Sequence, residues 1–230
     1  MCGRASLPND VSELKQDLRI EWDKLGDYQP RWNAAPTSDL PVVTSSPDRG
    51  RTLELMRWGL IPSWANEWAK QSKIGRSTFN ARAESIDSKP AFRNAWKAGR
   101  RCLVVADGYY EWRDTDRQPF AMALGNRGLM TFAGLWDLWG APDGATVKSF
   151  TIITTRANAL AATIHDRMPV ILPPDCWAQW LGEVETTPDQ LKAMLRPYSS
   201  ERMAMWPVDR RVGNVRNDSP DLFEPLRDVG

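Results

Sequence analysis

The sequence predicts an α+β fold: one domain spanning residues 1–230, built on a curved, barrel-like mixed or antiparallel β-sheet with short flanking helices. Three observations predict it. Strand-length apolar segments crowd the middle of the chain, turn residues such as Asp107-Gly108 and Gly125-Asn126 separate them, and helical patterns are few and short. No internal repeat, low-complexity tract or composition break marks a linker.

Asp10 to Leu25 reads as the first helix. Val11, Leu14, Leu18, Trp22 and Leu25 step by three and four, Asp10 with Glu13 resembles a capping box, and Gly26 supplies a stop. Tyr28 to Thr37, with Pro30 and Pro36, is a loop. Leu40 to Ser45 and Arg51 to Trp58 are strands. Trp58 to Lys73 carries Gly59, Pro62 and three tryptophans and reads as an ordered loop, and Pro90 to Ala98 as a short helix. Strands follow at Cys102–Ala106, Tyr109–Arg113, Pro119–Leu124, Met130–Trp136 and Ser149–Thr155. Short helices are expected near Ala157–Ile164, Pro174–Leu181 and Pro188–Leu195. A strand over Arg202–Val208 then precedes the loop "DRRVGNVRN".

Composition excludes several classes. No run reaches the roughly 18 apolar residues of a membrane helix, and the N-terminus lacks an apolar signal core, so a cytoplasmic protein without a membrane partner is expected. Three widely spaced cysteines argue against a disulfide framework, and a single histidine argues against a zinc site. Neither a phosphate loop nor a dinucleotide fingerprint is present, so no cofactor is expected and a nucleotide has no visible cradle. Net charge is +1, although 22 of the 30 basic residues are arginine. Arginine suits bidentate phosphate contacts; a GC-rich genome would give the same skew.

The chain opens "MCGR". Removal of Met1, which aminopeptidases perform before small residues, would leave Cys2 as a 1,2-aminothiol. Its amine and thiol, with reference pKa values of about 7.7–8.0 and 8.5, both have nucleophilic forms near neutrality. The amine condenses with an aldehyde to an imine, and the adjacent thiolate closes a five-membered thiazolidine intramolecularly. His165, in "TIHDRMPV", is either a structural hydrogen-bonder or a catalyst flanked by Asp166 and Arg167. Glu111, in "ADGYYEWR", is either an outward strand carboxyl or a desolvated general acid among aromatics. Asn80, heading "NARAE", either caps a helical turn or orients a reacting group. Twelve tryptophans are mostly core, but an exposed member of the Trp58–Trp64–Trp68 loop would stack on unpaired bases. Arg4, Arg82, Arg167 and Arg216 sit where a phosphate-tracking groove would need them.

Taken together, "MCGR", "RWNAAPT", "MRWGLIPSW", "FNARAES", "RCLVVADGYYEW", "FTIITT", "IHDRMPVIL" and "VGNVRN" resemble the SRAP (SOS-response-associated peptidase) family, in family order and over nearly the whole chain. The resemblance implies binding of single-stranded DNA and covalent capture of abasic sites through a Cys2 thiazolidine. It implies that Asn80 positions the adduct, that Glu111 is general acid/base, and that His165 sits beside the sugar and its phosphate. Arg4, Arg82 and Arg167 would grip phosphates, Trp64 and Trp112 would pack near the lesion, and Thr154 would reach the backbone. A monomer is expected, since a protein clamped on one lesion needs no partner subunit. Relatives with two adjacent tryptophans differ from this chain, where Ala65 follows Trp64; Trp68 is the candidate substitute. Two other readings remain: an N-terminal-nucleophile peptidase restricted to Met1, and a non-covalent reader of modified bases.

Overall fold

The computed structural model describes residues 2–7, 11–65, 74–140 and 144–226. In chain order the strands are β1 (Ala5–Ser6), β2 (Trp22–Lys24), β3 (Asp39–Ser46), β4 (Gly50–Trp58), β5 (Asn80–Arg82) and β6 (Arg101–Ala106). They continue as β7 (Gly108–Trp112), β8 (Pro119–Leu124), β9 (Met130–Gly140), β10 (Thr146–Arg156), β11 (Arg167–Pro169) and β12 (Met203–Pro207). The helices are α1 (Val11–Asp17), α2 (Ile74–Ser77), α3 (Arg93–Lys97), α4 (Trp177–Leu181) and α5 (Pro188–Met194).

Five strands close on themselves. The path β4–β3–β6–β9–β10 is antiparallel throughout, and β10 then returns to β4 in parallel through Ser149↔Arg57 and Phe150↔Trp58. Closure removes the free edges that a sheet of this length would otherwise expose. Strand β2 is added to β4, while along β10, β5 pairs beyond β4 and β11 pairs beyond β9. A second, four-stranded sheet runs β1–β7–β8–β12.

Period-two alternation divides each barrel strand between two cores. Val42, Met56, Trp58, Cys102, Val104, Phe132, Phe150 and Ile152 pack together with Tyr109, Phe120 and Met122 of the four-stranded sheet. Their neighbours Val43, Leu53, Leu103, Val105, Leu135 and Ile153 pack instead with Leu14 of α1, Leu18 just after it, Trp180 of α4 and Leu191 of α5. Helices cannot fit inside five strands, so this second face is the outer one and the first face fills the barrel. Gly134 marks the crowding inside: a Cβ there would lie 2.8 Å from Cys102 Sγ.

The long strands lie where the sequence places them, and three helical expectations change. The first helix stops at Asp17. Arg19 takes φ +50, with its amide on Gln16 O at 3.1 Å and that of Ile20 on Lys15 O at 2.9 Å. That left-handed C-terminal motif frees Trp22–Lys24 to pair with β4, leaving Trp22 half exposed under Arg49 instead of buried. Asp10, the expected cap, lies outside the described residues. The stretch Ala157–Ile164 holds only a 3-10 turn at Ala161–Thr163. Asn80 belongs to a strand, so it caps no helix. Among the described residues no helix is long and apolar enough to cross a membrane.

Candidate functional site

The N-terminal strand is bonded along both edges, and this sets the position of Cys2. On one side Ala5 and Ser6 pair with Tyr109 and Gly108 of β7; on the other, Ala5 exchanges both backbone bonds with Ala34. Gly108 is required here, because a Cβ would approach Met122 O to 2.3 Å. Cys2 is thereby fully buried at the end of the barrel, within the same cluster as Tyr109 and Ile152.

Asn80 and Glu111 converge on Cys2 from two sheets. Asn80, on β5, donates from Nδ2 to the carbonyl oxygen of Cys2 at 2.7 Å. Its Oδ1 is buried and has no hydrogen-bond partner among the described residues. Glu111, on β7, is 5% exposed, and its charge acts on the Cys2 thiol. Burial, and secondarily that charge, push the thiol pKa well above the ordinary cysteine range. The resting sulfur is therefore a thiol, not a thiolate.

His165 is related to this group only through strand register. Nδ1 accepts the amide N–H of Arg167 at 3.0 Å and also lies 2.9 Å from Asp166 Oδ1. The backbone N–H is a fixed donor, so Nδ1 serves as its acceptor, and the highly exposed Asp166 carboxylate, itself an acceptor, is no hydrogen-bond partner for that lone pair. From His165 the chain enters β11, whose Arg167 lies opposite Arg156 of β10, and Thr154 of β10 lies opposite Arg82 of β5, two residues from Asn80.

The expected DNA contacts divide into exposed and engaged groups. Arg82 and Arg216 are exposed, as is Trp64 at 56%. Two flanking anchors present Trp64: Ser63 N–H on buried Asp137 at 2.8 Å and Trp139 Nε1 on Ala65 O at 2.8 Å. Trp68 lies outside the described residues. Arg167 is already paired: its fork holds Glu84 at 2.7 and 3.0 Å, and Nη2 donates to Thr154 O at 2.6 Å. Thr154 is fully buried and its hydroxyl accepts from Arg167, so it supports that arginine instead of projecting outward.

Arg4 is also committed. Nη1 donates to Asn33 Oδ1 at 2.9 Å and Val212 O at 2.8 Å, and the guanidinium lies over the half-buried Trp112, 5.7 Å from its centroid. Asn33 Nδ2 in turn reaches the carbonyls of Val212, Asn214 and Asn217. Asp218 accepts the amides of Trp32 and Asn33, and Tyr110 donates its hydroxyl to Trp32 O at 2.6 Å. "RWNAAPT" and "VGNVRN" are thus two halves of one lock beside the N-terminus.

Sequence reasoning missed Asn33, Glu84 and Tyr109. The fork partner Glu84 was visible only as a strand-end acid in "NARAE". Asn33 carried no local signal, since its acceptors lie about 180 residues downstream. The two tyrosines of "GYYEW" gave no clue to which face each takes. Among the described residues no group of three or more His, Cys, Asp or Glu could hold a metal ion.

Comparison with known proteins identifies the family and the fold. The family model described as SOS response associated peptidase (SRAP) matches residues 1–215. The Bacillus subtilis protein named abasic site processing protein YoqW is 38% identical over 228 residues, covering 97% of this chain and 99% of its own. The Xenopus tropicalis protein named abasic site processing protein HMCES is 35% identical over 270 residues, covering 98% of this chain and 78% of its own. A solved structure from Bacteroides thetaiotaomicron has the same fold, with a TM-score of 0.87 over 98% of this chain and 100% of that one, at 24% identity. With its family match running from Met1 to Val215, this chain belongs to the SRAP family.

Proposed function

We propose that this protein captures abasic sites in single-stranded DNA as a covalent thiazolidine on Cys2, after loss of Met1, and so shields the lesion from strand cleavage. The observation that carries the reading is the convergence of Asn80 and Glu111 on a buried Cys2 at the chain's start. The names of the two relatives, as abasic site processing proteins, support the substrate class.

The chemistry needs both heteroatoms of Cys2. The freed α-amine adds to the C1′ aldehyde of the opened deoxyribose, giving a carbinolamine. Glu111, as acid, protonates the carbinolamine hydroxyl, which leaves as water, and an iminium results. The Glu111 carboxylate then takes the thiol proton; the sulfur attacks the iminium carbon, and the C=N pair moves onto nitrogen. One water leaves overall. Because the buried thiol resists ionisation, a base beside it is required at neutral pH. Asn80 fixes the carbonyl of Cys2, and with it the direction of the amine. His165 sits beside the sugar and its flanking phosphate and assists proton transfer.

Strand binding falls to exposed groups: Arg82 and Arg216 for phosphates and Trp64 for a stacked base. Arg167 joins them by exchanging the Glu84 carboxylate for a phosphate. The test is a denaturing gel of the purified protein with uracil-containing single-stranded DNA treated with uracil glycosylase. A stable adduct is expected for the wild type and none for Cys2→Ala; an equal adduct from both would overturn the mechanism.

Autoremoval of Met1 is a second activity of the same site. Cys2 nitrogen is an amide until Met1 leaves, and Glu111 lies beside it. The intact mass of Glu111→Gln, made in cells lacking methionine aminopeptidase, decides this: Met1 retained only in the variant supports autoprocessing.

A further inference from the structure

One polar atom near Cys2 has no role in the scheme above. Tyr109 is fully buried, and its hydroxyl has no hydrogen-bond partner among the described residues. An unsatisfied buried hydroxyl is destabilising, and native structures keep few of them. Its sequence neighbour makes the contrast. Tyr110, on the opposite face of β7, donates to Trp32 O at 2.6 Å and packs edge-on against Phe223. Tyr109 shares its face with Glu111, two residues on, and belongs to the cluster that contains Cys2. Its ring stands edge-on to Phe132, 6.1 Å between centroids, which fixes the ring while leaving the oxygen unused. Burial, and secondarily any negative charge on Cys2 or Glu111, raises the phenol's pKa well above its ordinary value, so it remains a donor.

We propose that Tyr109 donates its hydroxyl hydrogen to the Cys2 sulfur as the thiol gives its proton to Glu111, steadying the thiolate for closure of the thiazolidine. This rests on the abasic-site reading and assigns Tyr109 to its second bond, carbon to sulfur, not to the first, carbon to nitrogen. A phenol with no hydrogen-bond partner among the described residues is suited to this, because the charge that forms on the sulfur at that step makes it a stronger acceptor. The hydrogen bond makes no covalent change; the thiol proton still passes to Glu111, and the phenol keeps its own.

The experiment compares wild type and Tyr109→Phe, both lacking Met1, on a single-stranded oligonucleotide with one abasic site. Adduct seen only after borohydride reduction measures the imine; adduct stable without borohydride measures the closed ring. Tyr109→Phe is expected to melt at or above the wild-type temperature, since it removes only an unsatisfied hydroxyl. Imine formation should match the wild type, while conversion to the stable adduct slows by about ten- to a hundredfold, the loss expected for one hydrogen bond to a charged atom. Conversion at the wild-type rate would overturn the proposal, as would equal slowing of both steps or a marked loss of stability. A wild type that forms neither adduct would instead refute the abasic-site reading itself.

Discussion

Two polar clusters flank the N-terminal strand, and they are built in opposite ways. In the lock formed by Arg4, Asn33, Asp218 and the carbonyls of Val212, Asn214 and Asn217, the side chains are saturated: Asn33 alone serves three carbonyls and the Arg4 guanidinium. On the Cys2 side, Asn80 Oδ1 and the Tyr109 hydroxyl are buried with no partner among the described residues. Saturation holds a terminus still. Unused hydrogen-bonding capacity around a buried nucleophile is what a site keeps for a ligand that arrives later. The difference separates residues that hold the chain from residues that act on a substrate, although all are polar and close in space.

Substitutions can break that separation, and the largest expected effect is at Glu111. Glu111→Gln should slow adduct formation by about 10²–10⁴, the usual contribution of a general acid–base, without moving the melting temperature much; single-turnover gels with a parallel melt would check both. Asn80→Ala should likewise act on chemistry, slowing crosslinking by at least ~10-fold as the Cys2 carbonyl loses its donor. Asn33→Ala should do the reverse. It strips the donor from three carbonyls and the acceptor from Arg4, costing about 2–4 kcal/mol in urea unfolding. Were Asn33→Ala to leave stability intact, or Asn80→Ala to unfold the protein, the comparison would fail.

Smaller effects sharpen it. Arg82→Ala should lower the slope of log affinity against log salt by about 0.7, one phosphate of a single strand, measured on DNA without a lesion. Asp107, whose amide donates to Ser6 O of the N-terminal strand, is raised by burial from 3.8 to about 6. From pH 3.8 to 6 its carboxyl ionises in the unfolded chain while staying protonated in the fold. Stability therefore falls as pH rises through that window, and the full penalty applies above 6. Asp107→Asn should abolish that slope and stabilise the protein at pH 7 by about 1–2 kcal/mol, seen in urea midpoints across pH.

How much of this the sequence revealed follows from the length of each signal. Strands β3, β4 and β6–β10 alternate apolar and polar or fill a two-sided core over five or more residues, so they were legible. Three-residue strands such as β2, β5 and β11 carry too few positions for a period; tertiary pairing, not propensity, makes them. Trp22 fitted a helical stripe that the left-handed turn at Arg19 cut short. At the site, Cys2, Asn80, Glu111 and His165 stood out by chemistry and by family motif. The engagement of Arg4 and Arg167 did not, because Val212 and Glu84 meet them only in the fold.

The most direct test is peptide mass spectrometry of the adduct after nuclease digestion. A terminal Cys2 without Met1, carrying the sugar remnant and refusing thiol alkylation, is the predicted species. A remnant on a chain that keeps Met1, or a Cys2 sulfur that still alkylates while the sugar is attached, would contradict it.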